Sequence, residues 1–263
     1  MAKGSSTRRR RASLELVDAK QAVDLATAQT YSENVFLFVP NLIGYSRVIL
    51  AGLSLYYMSY HPIYCTLLYS FSCLLDAVDG QAARALGQTS KFGAVLDMVT
   101  DRCTTSCLLC YLSSAYPPYA VFFQFLIALD FSSHYMHMYS SLVTGSTSHK
   151  LVTSDVSRIL WMYYNDPRTL FFVCAGNELF FVALYLIKWT SRPIGLSFLG
   201  NMTYPELMAL TSFPIFFLKN VINVVQLWKA SKILVGVDLA ERAAARVAAI
   251  QAEMDEKANG RKS

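Results

Sequence analysis

The fold is decided by residues 62–101, which read PIYCTLLYSFSCLLDAVDGQAARALGQTSKFGAVLDMVTD. An apolar run opens this stretch, and two pairs of aspartates follow on either side of Gly87, namely Asp76 with Asp79 and Asp97 with Asp101. Spacings of three and four residues put both members of a pair on one face of a helix. Because only a short turn joins the two helices, we expect the two acidic faces to meet.

The surrounding sequence has the composition of a membrane protein. Of the 263 residues, 54% are hydrophobic and 16% are charged, whereas soluble domains carry roughly 25% charged residues. Intrinsic disorder requires the opposite composition, with low hydrophobicity and high charge. The chain is therefore predicted to be a polytopic membrane protein with one membrane domain.

Proline, glycine and polar breaks divide the chain into six apolar helices, each close to the ~20 residues that span a bilayer. We predict an all-α membrane protein with these helices at 40–60, 63–86, 92–114, 119–142, 168–188 and 204–228. Residues 13–32 predict an amphipathic helix on the membrane surface. Residues 229–258 predict a helix that leaves the membrane, and its apolar stripe suggests packing against the membrane domain. The segments are thus a tail with an interfacial helix (1–35), a six-helix domain (36–228) and a C-terminal helical tail (229–263).

Basic residues predict the orientation in the membrane. Residues 1–39 hold six of the 23 Lys and Arg, including the run from Arg8 to Arg11, and residues 228–263 hold seven. An even number of helices puts both termini on one side, and the loops of the other side offer only Lys188 and Arg192. The positive-inside rule then places the termini, and the ends of the helices that carry the acids, on the cytosolic side of the membrane. No nucleic-acid module accompanies the arginine run, so we expect membrane lipids and not nucleic acid as its partner.

Other features add little chemistry. No apolar signal segment follows the basic start, so insertion is expected to use the first membrane helix. The six cysteines fall in or beside apolar stretches and predict packing residues, not a disulfide framework. Asn201, Met202 and Thr203 match a glycosylation sequon, but they adjoin the sixth helix.

The acid pairs predict a metal site. Four carboxylates in a low-dielectric region repel one another and must be protonated or neutralised by cations. Arg84 supplies one positive charge against four negative charges. Hard divalent cations prefer oxygen ligands, and Mg²⁺ or Mn²⁺ suits such a site. The alternative is that the acids are helix-end charges that face water.

Two glycines and Arg84 predict the kind of ligand. Gly80 follows Asp79 directly and Gly93 lies one turn before Asp97, so both remove side chains where a bulky ligand needs room. Arg84 lies one turn beyond Gly80, where its guanidinium can hold a phosphate by two hydrogen bonds. Metal ions, an arginine and open glycines together suggest a diphosphate substrate.

These residues carry a family resemblance. The segment Asp76-Ala-Val-Asp79-Gly80-Gln-Ala-Ala83-Arg84, followed by Gly93, Asp97 and Asp101, resembles the signature of CDP-alcohol phosphotransferases at each of its eight fixed positions. The resemblance implies a six-helix, usually dimeric membrane enzyme that moves a phosphatidyl or phosphoalcohol group from a CDP-linked donor to an alcohol and releases CMP. Stretches around Pro40, Asp101, His134 and Asn177 are also similar to the eukaryotic members that take inositol as the acceptor.

The resemblance also implies roles for residues. The four aspartates would ligate two Mg²⁺ or Mn²⁺ ions, and Asp101 would also be the general base. The CDP-diacylglycerol site would include the signature residues and a nearby serine, namely Asp76, Asp79, Gly80, Ala83, Arg84 and Ser90. Neighbouring Thr89 is an alternative to Ser90. The membrane would be the endoplasmic reticulum and the enzyme a homodimer.

Polar residues on other helices complete the candidate sites. In the first helix, Asn41 could reach the cytidine and Arg47 a phosphate, although Asn41 could instead cap the helix and Arg47 could snorkel to lipid phosphate. A polyol such as myo-inositol needs several hydrogen-bonding partners, and the fourth and fifth helices offer Asp130, Ser133, His134, His137, Asn177 and Glu178. Asp130 and His134 are four residues apart and could instead satisfy each other.

Rival functions remain open at this point. A cation transporter would also use acids within the membrane, but it does not explain Arg84 or the two glycines. A structural membrane protein explains none of the acids. Within the enzyme class, glycerol phosphate, serine or choline could replace inositol as the acceptor, because the signature is shared by all of them.

Overall fold

The computed structural model describes residue 24 and residues 33–144, 166–195 and 200–260. Regular structure within these residues is helical, and the β-structure there is one isolated bridge between Pro193 and Thr203. The predicted all-α fold is confirmed. The predicted interfacial helix, apart from Asp24, lies outside the described residues, as does most of the 143–166 loop.

Six long helices follow one another in the described residues. They are α1 (Val39–Tyr57), α2 (Pro62–Ala85), α3 (Lys91–Ala115), α4 (Ala120–Val143), α5 (Pro167–Ile187) and α6 (Tyr204–Gly260). The first five begin and end within three residues of the predicted bounds. Short 3-10 turns precede α1 and α4, at Val35–Leu37 and Pro117–Tyr119.

Side-chain caps and special backbone residues explain where the helices start and stop. The Ser90 hydroxyl accepts from Gly93 N and caps α3, and the Asp166 carboxylate accepts from two backbone amides of α5. The Thr169 hydroxyl also donates to Asp166 and holds the pKa of that carboxyl below its usual range. Gly87 has a φ of +65°, a left-handed conformation that ends α2 and turns the chain toward α3.

Helix α6 is one unbroken helix of 57 residues. The sequence predicted a sixth helix to residue 228 and a separate helix from 229, and this division is wrong. The helix continues because no strong breaker interrupts the sequence after Pro214. The predicted packing of its apolar stripe against the membrane domain is also wrong, since Leu239 is 62% exposed and Ile250 is 60% exposed.

Two of the described helices are long and apolar enough to cross a membrane, Arg168–Ile187 and Tyr204–Asp255. The other four carry more polar side chains, among them the four aspartates. Large apolar side chains also point outward from α1 to α6, and Ile63, Val121 and Phe172 are examples. So many exposed large apolar side chains indicate contact with lipid or with another protein.

The packing of neighbouring helices positions α2 and α3, which carry the acids. Helix α1 packs against both α2 and α3, and α6 packs against α4 and α5. Helices α5 and α6 approach each other closely at Gly176, where an added Cβ would lie only 2.6 Å from Ile215 Cγ2. The buried core includes Leu108 and Leu112 of α3 and Phe181 of α5.

Candidate active site

The acidic faces of α2 and α3 meet, as the spacing predicted. Carboxylate oxygens of Asp76, Asp97 and Asp101 all lie within 4.8 Å of one another. Asp79 lies one turn further along α2 and is the most buried of the four acids, with 8% of its surface exposed. We call these four aspartates the acid cluster.

Arg47 of α1 lies at the centre of the acid cluster. Its Nη1 donates to Asp79 at 2.7 Å and to Asp97 at 2.6 Å. Its Nη2 lies 2.7 Å from Asp76 and donates to Asp101 at 2.5 Å. The side chain is 2% exposed, so the alternative in which Arg47 snorkels to lipid phosphate is wrong. The helix packing of α1 against α2 and α3 brings its guanidinium to the acids and not to the lipid surface.

Arg102 is a second cation that contacts the acid cluster. Its Nη2 donates to Asp101 at 3.3 Å, and its Nε lies 3.3 Å from Asp130 of α4. Counting Asp130 with the acid cluster gives five carboxylates against two guanidiniums, which leaves three formal negative charges if every carboxylate is ionised.

The acid cluster has the donor set that a hard divalent cation requires. Carboxylate oxygens are the preferred ligands of Mg²⁺ and Mn²⁺, and three acids present them close together. The excess of negative charge that remains after Arg47 and Arg102 are counted favours a cation as well. The residues therefore fit a divalent metal.

Gly80 and Arg84 of the signature lie side by side near the end of α2. Arg84 is exposed in the last turn of α2, and it forms no ion pair among the residues that the structure describes. A Cβ at Gly80 would lie 3.6 Å from its Nη1, an ordinary contact. Ala83 adjoins Arg84 and is half-buried, and the Ser90 hydroxyl caps α3.

Asn41 lies at the contact between α1 and α3. It does not cap α1, because the capping position is Phe38. Instead its Nδ2 donates to the Val35 carbonyl at 2.6 Å, and its Oδ1 lies 2.6 Å from where a Cβ at Gly93 would be. Gly93 thus makes room for the Asn41 side chain beside α3.

Asp130 and His134 form one network with Arg102. Arg102 Nη1 contacts His134 Nε2, and because a guanidinium only donates, this ring nitrogen is the acceptor. The ring proton then lies on Nδ1, which donates to the Asp130 carbonyl at 2.8 Å. Ser133 is fully buried and its hydroxyl donates to the same carbonyl at 3.0 Å. His137 lies one turn beyond His134 and is partly buried.

Two polar residues of α6 join this network, and the sequence did not single them out. Asn223 Nδ2 donates to Asp130 at 3.2 Å, and Lys219 Nζ donates to Asn223 at 2.5 Å. Both side chains are buried, at 3% and 4% exposed. A lysine and an asparagine four residues apart in an apolar helix were a signal that could have found them.

Glu178 is held by α2 and α3 instead of joining the Asp130 network. Tyr69 donates its hydroxyl to one carboxylate oxygen at 2.6 Å, and Thr105 donates to the other at 3.0 Å. Asn177 Nδ2 also donates to Glu178, at 3.3 Å. Of the residues predicted for the acceptor, Asp130, Ser133 and His134 therefore lie in one cluster, and Asn177 and Glu178 lie in another.

The sequence matches one protein family over most of its length. The CDP-alcohol phosphatidyltransferase family matches residues 37–236, which contain the acid cluster and its surroundings. The chain belongs to this family. A cation transporter and a structural membrane protein are therefore not supported as functions of this family member, and the residue resemblance drawn from the sequence is confirmed.

Curated relatives of this phosphatidyltransferase share close to half of its residues. A Schizosaccharomyces pombe protein is 53% identical over 225 residues, which cover 81% of this chain and 95% of the relative. A Homo sapiens protein is 44% identical over 211 residues, with 80% and 97% covered. A Saccharomyces cerevisiae protein is 48% identical over 207 residues, with 79% and 90% covered. All three are named CDP-diacylglycerol–inositol 3-phosphatidyltransferase. No solved structure matches the chain.

Proposed function

We propose that this enzyme transfers the phosphatidyl group of CDP-diacylglycerol to a hydroxyl of myo-inositol and produces phosphatidylinositol and CMP. The observation that carries this assignment is the 44–53% identity to the three relatives, over at least 90% of each relative. Family membership gives the reaction type, and this identity favours inositol over glycerol phosphate, serine or choline as the acceptor.

The acid cluster would hold two divalent ions, Mg²⁺ or Mn²⁺, through Asp76, Asp79, Asp97 and Asp101. When bound, such ions spread the negative charge of the donor diphosphate and stabilise the leaving phosphate. The excess of carboxylates over guanidiniums supports this role. Arg47 holds the carboxylates together from α1, where its two terminal nitrogens contact all four acids.

The donor would bind beside the acid cluster on the α2 side. Arg84 is exposed and can donate two hydrogen bonds to a phosphate, while Gly80 and Ala83 keep the helix surface open beside it. Ser90 and Asn41 lie at the start of α3 and α1, where the cytidine would contact them. Binding of the donor by these residues stays a prediction from the signature.

Asp101 is the proposed general base. In the transfer, an inositol oxygen forms a bond to the phosphorus that bears diacylglycerol, and the bond from that phosphorus to CMP breaks. The hydroxyl proton passes to Asp101 as the new bond forms, because an alcohol is a poor nucleophile while it keeps its proton. His134 is a weaker candidate, since its acceptor nitrogen already contacts Arg102.

The acceptor would bind between α3, α4 and α6. Asp130, Arg102 and Asn223 present polar groups there, next to Asp101. A polyol can accept from the amide and guanidinium groups and donate to the carboxylate. Direct contacts of inositol with His134, Ser133, His137 and Asn177 stay predictions.

The membrane arrangement is part of the same proposal. All six helices would span the bilayer of the endoplasmic reticulum, as a homodimer, with both termini and the acid cluster on the cytosolic side. The outward apolar side chains of α1 to α6 support spanning helices. The basic residues near both termini support the orientation.

Purified protein offered CDP-diacylglycerol and one acceptor at a time tests the function. We expect CMP release and phosphatidylinositol with myo-inositol, and no lipid product with glycerol phosphate, serine or choline. EDTA should abolish product formation, and Mg²⁺ or Mn²⁺ should restore it. A different alcohol in the lipid product would overturn the acceptor assignment, and full turnover in metal-free buffer would overturn the role of the acid cluster.

A further inference from the structure

Glu178 joins three helices through its carboxylate. It extends from α5, and its two oxygens accept from Tyr69 of α2 at 2.6 Å and from Thr105 of α3 at 3.0 Å. Tyr69 is 2% exposed, so its hydroxyl has no access to bulk water as an alternative partner. The two helices that Glu178 joins are the two that bear the acid cluster.

The partners of Glu178 lie on the same helix faces as the acids. Thr105 is four residues after Asp101, which is one turn along α3. Tyr69 is seven residues before Asp76, which is two turns along α2. Glu178 therefore connects the acid-bearing faces themselves, one or two turns away from the carboxylates.

The spacing of α2 and α3 depends on such connections. Helix α2 packs mainly against α1, whereas α3 packs against α4 as well as α1, and α2 and α3 pack only slightly against each other. Arg47 connects them at the level of the acids, and Glu178 connects them deeper in the bundle. Glu178 is therefore a direct side-chain connection between the two acid-bearing helices that does not pass through α1.

We infer that Glu178 is a positioning residue that sets the separation of the acid-bearing helices for binding of the divalent cation. This inference rests on the proposed metal-dependent function. Both Glu178 oxygens accept hydrogen bonds from protein hydroxyls, which favours this role over the predicted contact of Glu178 with inositol. An oxygen ligand shell for Mg²⁺ or Mn²⁺ tolerates little change in position, so a shift of either helix weakens binding.

Three variants test this role, namely Glu178→Gln, Tyr69→Phe and the double variant. Glu178→Gln keeps the shape but replaces one acceptor oxygen with an amide donor, and Tyr69→Phe removes the matching hydroxyl. Mn²⁺ binding to the detergent-purified full chain is measured from the electron paramagnetic resonance signal of free Mn²⁺. We expect each single variant to weaken Mn²⁺ binding about tenfold and leave the KM for inositol unchanged. The double variant should bind Mn²⁺ no less tightly than whichever single variant binds it less tightly. The reason is that both substitutions remove the same hydrogen bond.

The matched control is Tyr185→Phe. Tyr185 lies on the same helix as Glu178, is 1% exposed and donates its hydroxyl to the Met58 carbonyl at 2.8 Å. Its loss should leave Mn²⁺ affinity unchanged, and an equal weakening in this control would show a general loosening of the bundle and overturn the inference. If Glu178→Gln cannot be purified, Tyr69→Phe alone decides.

The readouts separate this inference from the proposed function. Unchanged Mn²⁺ affinity together with a raised KM for inositol would make Glu178 an acceptor ligand and overturn the positioning role. Failure of the proposed function would instead appear in the unsubstituted protein, as absence of inositol-dependent CMP release. The Mn²⁺ titration does not depend on that release.

Discussion

Arg47 holds the acid cluster together, because its two terminal nitrogens contact four carboxylates on two different helices. Arg47→Gln should lower the free energy of unfolding in EDTA by about 3 kcal/mol, the lower end for breaking a buried ion pair, since the carboxylates are partly exposed. Thermal unfolding of the purified protein measures this loss. Saturating Mn²⁺ should recover more stability in the variant than in the unsubstituted protein, because cations replace the missing positive charge.

Arg84→Gln is the control for that experiment. Arg84 is exposed and has no ion pair among the described residues, so its removal should leave the unfolding midpoint in EDTA unchanged. Equal midpoints for Arg47→Gln and the unsubstituted protein would contradict a stabilising role for the contacts of Arg47.

The acids were predictable from the sequence, while their cationic partners were not. Spacing along α2 and α3 suffices to place Asp76 and Asp101 on facing surfaces. The partners of Arg47 depend on how α1 crosses α2 and α3, and no local sequence pattern reveals that crossing. Lys219 differs from Arg47, because its position in an apolar helix four residues before Asn223 was a local signal; only its link through Asn223 to Asp130 of α4 depends on the packing of the helices.

At the scale of helices, the close approach of α5 and α6 depends on Gly176. A Cβ there would lie 2.6 Å from Ile215 Cγ2 and 3.0 Å from its Cβ, which is fixed to the backbone. Gly176→Ala should therefore push the helices apart and destabilise the protein by about 1–3 kcal/mol, the typical effect of overpacking. The unfolding midpoint and the yield of folded protein in detergent measure this change.

Gly52→Ala provides the comparison for Gly176→Ala. Gly52 lies within α1, and a Cβ there would have nothing within 4 Å. The added methyl group should be neutral or stabilise the helix by up to about 1 kcal/mol. Similar losses for both variants would mean that alanine is disfavoured for a reason other than the contact with Ile215.

Helix boundaries were predicted well wherever the sequence carries a breaker. Pro62, Gly87 and Pro167 mark ends that the structure places within one residue of the prediction. Residue 228 has no such mark, and the prediction relied on a change in composition there. Amino-acid composition indicates whether a helix faces lipid or water. The end of a helix is decided by where its backbone hydrogen bonds stop, and those of α6 continue to Gly260.

At the scale of the whole molecule, the proposed six spans fix which loops share a side. In sealed microsomes, a cysteine at the exposed residue Thr89, between α2 and α3, should react with a membrane-impermeant maleimide from the cytosolic side. The physical reason is the alternation of consecutive spans, combined with the basic residues near both termini. Gel-shift labelling of intact vesicles measures this accessibility.

Ser191→Cys tests a loop predicted to lie on the opposite, lumenal side of the membrane in the same assay. Ser191 is exposed between α5 and α6, and it should be labelled only after detergent opens the vesicles. The unsubstituted protein, whose six cysteines all lie within α2, α3 and α5, gives the background signal. The reverse pattern of labelling would contradict the proposed orientation.

Because α6 is unbroken, its length gives the distance from residue 228 to Gly260. From residue 229 to Gly260 the helix extends roughly 48 Å at 1.5 Å per residue. If residues 204–228 span the bilayer, this distance is far greater than the headgroup layer that the helix must still cross. In that case the end of α6, measured along the helix axis, would lie farther from the lipid than the roughly 30 Å diameter of a small domain. With the proposed span at 204–228, the acid cluster would lie near the membrane, and Gly260 would lie tens of ångströms from it.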